Sequence, residues 1–375
     1  MELRRRHIVR RTALATTGVL VAVGASIWLY GMDDREAGRA CGGMLSVGDV
    51  RAVLGDDHLD VKTGSGNGFD TCTLTVGDRS AKVTVVDTTR IGEGDRLPSL
   101  YHASFARASN GGLLSVPVGH GWSGLFAMDS TLSTSGGATT TLALTCGKDS
   151  DKSSTGGRRV QGLTVTVDAD LGTDLDDPAT RPAHVRIATS TATKAAKTYG
   201  CATDLGDRTI RTIGLPVTEE EFEPLSTASG TCAAIPTTTG VTTARETTRA
   251  GAPSETCLLG DDGLGNHRYT LQADFGPYAA QLKAAYGLDR YTSVPTLADA
   301  ATGQFLDDGG YWGSAACPVD GERAVFRVER APRASTGAVD QRQPTETERA
   351  YAKTALRTFA EHSAKAHGCS APATP

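Results

Sequence analysis

Three patterns of apolar and polar positions recur along this chain, and their order predicts its elements. The first is an unbroken apolar stretch from Ala13 to Met32, ALATTGVLVAVGASIWLYGM, which holds no charged residue. About 20 such residues in a helix cover the roughly 30 Å of a bilayer core, so a transmembrane anchor is predicted at 13–32. The second pattern is period-two alternation. CTLTVGDRSAKVTVVD from Cys72 and CLLGDDGLGNHRYTLQAD from Cys257 each place two alternating runs around a glycine-containing turn, which predicts a β-hairpin. LTVTVDA from Leu163 and AVFRVER from Ala324 are strand-like in the same way. The third pattern is helical. Val185, Ala188, Ala192, Ala195 and Tyr199 recur at three- and four-residue steps, as do Ala352, Ala355, Leu356, Phe359, Ser363 and Ala364. Each set makes one apolar face. Pro182 suits a first helical turn, Thr345 with Glu348 fits a capping box, and Gly200 and Gly368 stand at the expected helix stops. Shorter helices are predicted at Leu100–Ala108, at Tyr278–Gly287 and in LSVGDVRAVLG after Cys41.

The order of these elements repeats. Cysteines stand at 41, 72, 146 and 201, then at 232, 257, 317 and 369, with steps of 31, 74 and 55 followed by 25, 60 and 52. In each set the second cysteine opens a hairpin, a short helix follows, and a tryptophan beside glycine (Trp122 in HGWSG, Trp312 in GYWGS) precedes the third cysteine. A strand comes after that, and the fourth cysteine directly follows a helix-stop glycine. The chain therefore reads as an internal duplication. The copies differ in detail: the first has a helix after Cys41 where the second has a Thr/Ala/Arg stretch, and an extra Ser/Thr/Gly segment precedes Cys146.

The predicted fold class is α+β: two homologous domains, each a small antiparallel sheet with a C-terminal packing helix, plus one N-terminal transmembrane helix. The predicted divisions are a basic cytoplasmic tail at 1–12, the anchor at 13–32, a linker at 33–40 and copy one at 41–203. A second linker occupies 204–229, copy two 230–371 and a tail 372–375. None of the eight cysteines forms a CxxC pair of the kind zinc and iron–sulfur sites use, so a disulfide framework is expected. Four cysteines per copy permit three pairings. The favoured one joins Cys41 to Cys72, Cys146 to Cys201, Cys232 to Cys257 and Cys317 to Cys369, which would pin each closing helix to its sheet.

The run CGGMLSVGDVRAVLG followed by CTLTV, the tandem arrangement and the Gly-Cys helix ends resemble actinobacterial membrane-anchored, lipoprotein-like exported proteins of unknown function with tandem four-cysteine domains. The resemblance covers nearly all of the chain beyond the anchor. It implies location and fold type, and brings no activity or catalytic residue. This chain departs from it by lacking a lipobox.

Charge and composition place the chain. Arg4, Arg5, Arg6, Arg10 and Arg11 precede the apolar run, Trp28 and Tyr30 sit near its far end, and Asp33, Asp34 and Glu36 follow. The basic flank is expected to stay inside, giving a single-pass cell-membrane protein with its C-terminus outside. A cleaved signal peptide is the competing reading, but cleavage after Ala25 would leave Ile27–Tyr30 as an apolar terminus. Five arginines and one glutamate give the first 31 residues +4, so a total of −5 leaves −9 for the remainder. An acidic exported part argues against nucleic acid as a partner. The expected partners are the lipid bilayer, through 13–32, and an envelope protein or cell-wall component. Aromatics are only 5% against 44 glycines, so each core should gain little from ring burial.

No motif supplies chemistry. In HGWSG the serine, Ser123, has Gly121 before it, but Leu125 stands where a nucleophile elbow needs its second glycine. Asp168, Asp170, Asp174, Asp176 and Asp177 cluster, yet Gly172 falls at a ligand position and no glutamate closes a calcium loop. Asp261 and Asp262 before Gly263 read as turn residues. His362 and His367 are five apart on a helix, and neither HExxH nor a phosphate-binding glycine motif occurs. No catalytic, cofactor or metal residue is assigned. The expected function is a non-enzymatic binding, sensing or scaffold module of the cell envelope, with an extracytoplasmic hydrolase as the alternative. A reporter fused after Pro375 should be active only outside the cytoplasm; cytoplasmic activity would overturn the topology.

Overall fold

The computed structural model describes residues 34–90, 114–128, 137–150, 159–170, 178–207, 209–216, 222–247, 252–261, 267–279, 282, 301–304, 310–317, 323–331, 334–335, 338–339 and 343–375. The anchor at 13–32, the helix predicted at Leu100–Ala108, and Asp174, Asp176, Asp177 and Asp262 lie outside these residues. Among the described residues no helix is long and apolar enough to cross a membrane.

The α+β expectation with two small sheets is corrected. Strand outweighs helix, and each repeat is built on a seven-stranded antiparallel sheet. In the first repeat, residues 34–43 (α1) and Val47–Leu54 (α2) lead into a meander of β1 (Asp60–Gly66), β2 (Phe69–Val76) and β3 (Arg79–Asp87). The chain then crosses to the far edge and returns through β4 (Val116–Gly119), β5 (Trp122–Met128), β6 (Gly137–Thr145) and β7 (Gly162–Asp170). The last of these pairs with β3, so the order is β1-β2-β3-β7-β6-β5-β4, closed by α3 (Thr180–Tyr199).

The second repeat follows the same path, with an added edge strand before its three-strand meander and no counterpart of β4. β8 (Glu223–Pro224), β9 (Thr243–Glu246), β10 (Ser254–Gly260) and β11 (His267–Asp274) precede β12 (Thr302–Gln304), β13 (Tyr311–Ala316) and β14 (Arg323–Arg330). The order is β12-β13-β14-β11-β10-β9-β8, with β9–β11 as the meander, and α4 (Glu346–Ala366) closes it. β15 (Ala334–Ser335) and β16 (Ala338–Val339) form a separate two-stranded ladder.

The extra strands escaped pattern reading for physical reasons. β1, DVKTGSG, is an almost wholly exposed edge strand with no apolar face to alternate. β6, GATTTLALT, is buried on both faces, which removes the alternation. Its threonines, β-branched, suit a strand as well as valine does.

Each closing helix packs on one face of its sheet, the inner face. In the first repeat Val185, Ile187, Ala188, Ala192 and Ala195 meet Leu74, Val83, Val85, Leu142 and Val165, all buried. In the second, Ala355, Leu356, Phe359 and Ala360 meet Leu271, Phe326 and Val328. The first core also takes in Ala37 and Ala40 from α1, and Ile210 and Ile213 from the stretch after the repeat. That stretch is held by hydrogen bonds from Trp122 Nε1 to the Asp207 carbonyl (2.9 Å) and from Arg186 to the Ile210 carbonyl (3.0 Å). Leu225 already belongs to the second core.

Helix ends follow local chemistry. α4 starts with a reciprocal capping box between Thr345 and Glu348, and α3 stops at Gly200 in the left-handed conformation. The two tryptophans, matched by sequence, are not equivalent. Trp122 lies on β5, whereas Trp312 lies on β13, whose counterpart is β6.

One inner-face residue makes the first repeat acid-sensitive. His184 on α3 is fully buried, with Nδ1 2.9 Å from Thr140 Oγ1 and its ring edge-on to Phe126. Burial holds its pKa down at about 4. An unfolded histidine titrates near 6.5, so below that pH the unfolded chain takes up a proton that the folded one refuses. Stability should fall as pH drops from about 6.5 to about 4, by roughly 3 kcal/mol in all. Denaturant unfolding of His184→Asn should lack that acid slope; an unchanged slope would assign the effect elsewhere.

Candidate functional site

The eight cysteines come together as Cys41–Cys72, Cys146–Cys201, Cys232–Cys257 and Cys317–Cys369, and no cysteine is free. In each repeat one bridge ties the leading segment to the second strand of the meander, and the other ties the end of the closing helix to the strand that turns back towards it. Closing loops of 25 to 55 residues, each contributes about 2–4 kcal/mol.

Beside these bridges lies a second device that the sequence pattern does not reveal. Two residues before the second cysteine stands a carboxylate, Asp70 or Glu255, and two before the fourth stands a side chain that bonds to it, Tyr199 or His367. Tyr199 donates its hydroxyl hydrogen to Asp70 Oδ2 at 2.7 Å, and burial together with Asp70 pushes the phenol pKa up. In the second repeat His367 Nε2 is 2.9 Å from Glu255 Oε1, Ser363 donates to Glu255 Oε2, and the imidazole stacks on Phe275 with 3.5 Å between centroids.

Serine, histidine and an acid thus converge, but the acid sits between the other two. A nucleophile relay needs the histidine on the serine, so this cluster fastens a helix. The other histidine that the sequence singled out, His362, lies on the same helix apart from this pair. HGWSG is also structural: His120 and Gly121, both with positive φ, form the two-residue turn between β4 and β5, and Ser123 lies on β5. Of the acidic run, Asp168 and Asp170 end β7, with Asp168 accepting from Thr139 at 2.9 Å. Asp261 pairs with Arg268 at 2.8 Å. Among the described residues no cluster of three His, Cys, Asp or Glu side chains is arranged to hold a metal.

The outer faces of the two sheets, away from the closing helices, are where the repeats diverge. Cross-strand register aligns them residue by residue. Cys72, Val83, Val167 and Thr140 stand opposite one another in turn, as do Cys257, Leu271, Val328 and Tyr311. One position along, on the face away from the helix, the first sheet carries a ladder of four threonines, Thr71, Thr84, Thr166 and Thr141, the last three of them buried. The second sheet carries Thr256, Gln272, Arg327 and Trp312 at those positions. Two residues further, Phe69, Val86, Thr164 and Ala143 are replaced by Ser254, Asp274, Val325 and Ser314.

These substitutions build a polar network. Ser254 Oγ donates to Asp274 Oδ1 at 2.7 Å, and Gln272 Nε2 donates to Ser254 Oγ at 3.1 Å. Arg327 donates to Gln272 Oε1 and, at 2.9 Å, to Glu329 Oε1. Asp274 is 4% exposed and Trp312 1%, and both Asp274 Oδ2 and Trp312 Nε1 are buried without a hydrogen-bond partner. Burial raises the pKa of Asp274 and outweighs the opposing pull of Arg327. Tyr278, just past β11, reaches the first repeat by donating to the Thr141 carbonyl at 3.1 Å.

Comparisons with family models, curated proteins and solved structures return no match. The chain's two repeats are therefore each other's reference. Against that reference, Asp274 stands where a copy of the same backbone uses valine, and a buried carboxyl with an unmet oxygen is a burden on folding. Because its folded pKa is raised, stability falls as pH rises above about 4, the unfolded aspartate value. Asp274→Asn should remove that loss, so its advantage over the parent should grow between pH 4 and pH 7 in denaturant unfolding. A variant less stable than the parent at both values would show that the ionised carboxylate holds the fold.

Proposed function

We propose that the chain is a non-catalytic binding, sensing or scaffold module of the cell envelope, tethered to the cell membrane through the apolar run at 13–32 with both repeats outside. The observation that carries this reading is the contrast between the repeats. Disulfides, inner core and helix fastening are kept in both, while the outer face of one sheet has changed from a threonine ladder to a network of glutamine, arginine, aspartate and tryptophan. A duplicated, cross-linked scaffold whose copies keep their fastening but not their side-chain chemistry fits a protein that works by binding rather than by a repeated catalytic site.

The four disulfides support an oxidising compartment outside the cytoplasm. The resemblance to exported, membrane-anchored proteins points the same way. An acidic exported part suits a protein or glycan partner better than a nucleic acid. The hydrolase alternative draws no support from Ser363, Glu255 and His367, whose order disables a relay.

In-cell crosslinking of the full-length protein, with the crosslinked sites mapped, tests the reading. One dominant envelope component attached within 230–371 is the expected result. Attachment confined to 41–203 would reassign the working surface to the first repeat, and turnover of an envelope substrate by the purified protein would replace the module with an enzyme.

A further inference from the structure

We propose that the two repeats seat on one another through the outer faces of their sheets, so that each is the other's partner and the duplicated chain acts as one body. This goes beyond the envelope reading and does not depend on it.

Both outer faces are covered, and not by the closing helices, which lie on the inner faces. Along the threonine ladder exposure falls from the half-buried Thr71 through Thr84 (4%) and Thr166 (1%) to Thr141 (0%). The matching row of the second sheet starts at the half-buried Thr256 and ends at the buried Trp312, and the next row, Ser254, Asp274, Val325 and Ser314, is buried throughout. The cover thus reaches the same side of both sheets, over β6 in the first and β13 in the second.

One contact identifies the occupant. The phenol of Tyr278, a second-repeat residue, donates to the Thr141 carbonyl at 3.1 Å in a buried hydrogen bond. Thr141 lies within β6, which is flanked by β5 and β7, so its carbonyl can be approached only across a face of the sheet. The inner face there is taken by α3, whose His184 meets the neighbouring Thr140. Tyr278 therefore arrives over the outer face, at the most deeply buried rung of the ladder. It follows Asp274 by four positions, so the end of β11 that carries the polar network comes to the interface with it. The chemistry agrees. Interfaces between domains of one chain are more polar than cores, and threonine hydroxyls on one side with Ser254, Gln272 and Asp274 on the other are of that kind. Pairing also accounts for the divergence: in a symmetric pair of identical chains a change appears on both faces, whereas in a duplicated chain each face can change alone to suit the other.

Two measurements on the full-length protein in a zwitterionic detergent test this. In the first, a diazirine-bearing aliphatic residue replaces Thr166, and its photoproduct is mapped after proteolysis. Attachment within 252–331 of the same chain is expected. In the second, amide hydrogen exchange is compared between the parent and Tyr278→Phe, which removes one hydroxyl and keeps the ring. Exchange in β6 and β7 of the first repeat should quicken about fivefold, the worth of one buried hydrogen bond, although the substitution is in the second repeat.

Attachment confined to the first repeat's own residues would overturn the proposal by showing that each repeat covers its own face. Attachment between two chains would assign the face to a second copy, and capture of water alone would show it open; either would equally overturn the proposal. An exchange change in Tyr278→Phe confined to the second repeat would do the same. None of these outcomes bears on the envelope reading, which stands or falls on topology and crosslinked partners.

Discussion

The attachment of each closing helix to its sheet is the constraint on which the rest of the structure depends. The buried face of α3 is dominated by small residues, Ala183, Ala188, Ala192, Ala195 and Ala196 with Thr189 and Thr191, beside the larger His184, Val185 and Ile187. Small side chains let the helix lie close to the sheet, but they remove little apolar surface from water. Apolar burial alone would hold such a helix weakly. Two further contacts fasten it at one end: the disulfide after the helix-stop glycine, and the hydrogen bond two residues earlier to a carboxylate on the second strand of the meander. Both repeats use this pair of fasteners at the same positions. Once the helix end is fixed, the inner face of the sheet is committed.

The fasteners show which features the duplicated fold tolerates changing. Asp70 with Tyr199 became Glu255 with His367, or the reverse. The carboxylate lengthened by one methylene while a phenol gave way to an imidazole, and the contact survived at 2.7 and 2.9 Å. The imidazole gained a stacking partner in Phe275, and the carboxylate gained a second donor in Ser363. Such compensation is expected where a buried charge must keep its partners, because leaving either group unpaired is far more destabilising than exchanging both.

The outer faces changed without that kind of compensation. A row of threonines presents hydroxyls that neighbouring strands can tolerate at little strain, and four in register across β2, β3, β7 and β6 make an even, largely buried layer. The second sheet gave this up for side chains of unequal size and charge, with an unmet carboxyl oxygen and an unmet indole N–H. Such residues weaken the second sheet in a way its duplicate avoids. Ser254 and Glu255 are neighbours on β10, as Asp274 and Phe275 are at the end of β11. The polar network and the His367 fastener therefore stand back to back across the same two strand ends.

Much of this was legible in the residues alone. Period-two runs marked β2, β3, β7, β10, β11 and β14, helical spacing marked α3 and α4, and cysteine spacing marked the duplication. These are local signals, set by the pitch of a helix or the pleat of a strand. Strands without a polar side, such as β6, or without an apolar side, such as β1, carry no such signal, and the sheets were accordingly read as too small. Which tryptophan corresponds to which, and that Asp274, Gln272 and Arg327 share one surface, could not be read at all. Those facts depend on pairings between β10, β11 and β14, whose partners are up to 61 residues apart, and only the folded register brings them together. The sequence by itself determined the elements, the repeat and the cross-linkable positions; the tertiary structure decided which side chains became neighbours, because hydrogen-bonded register between distant strands is a property of no single segment.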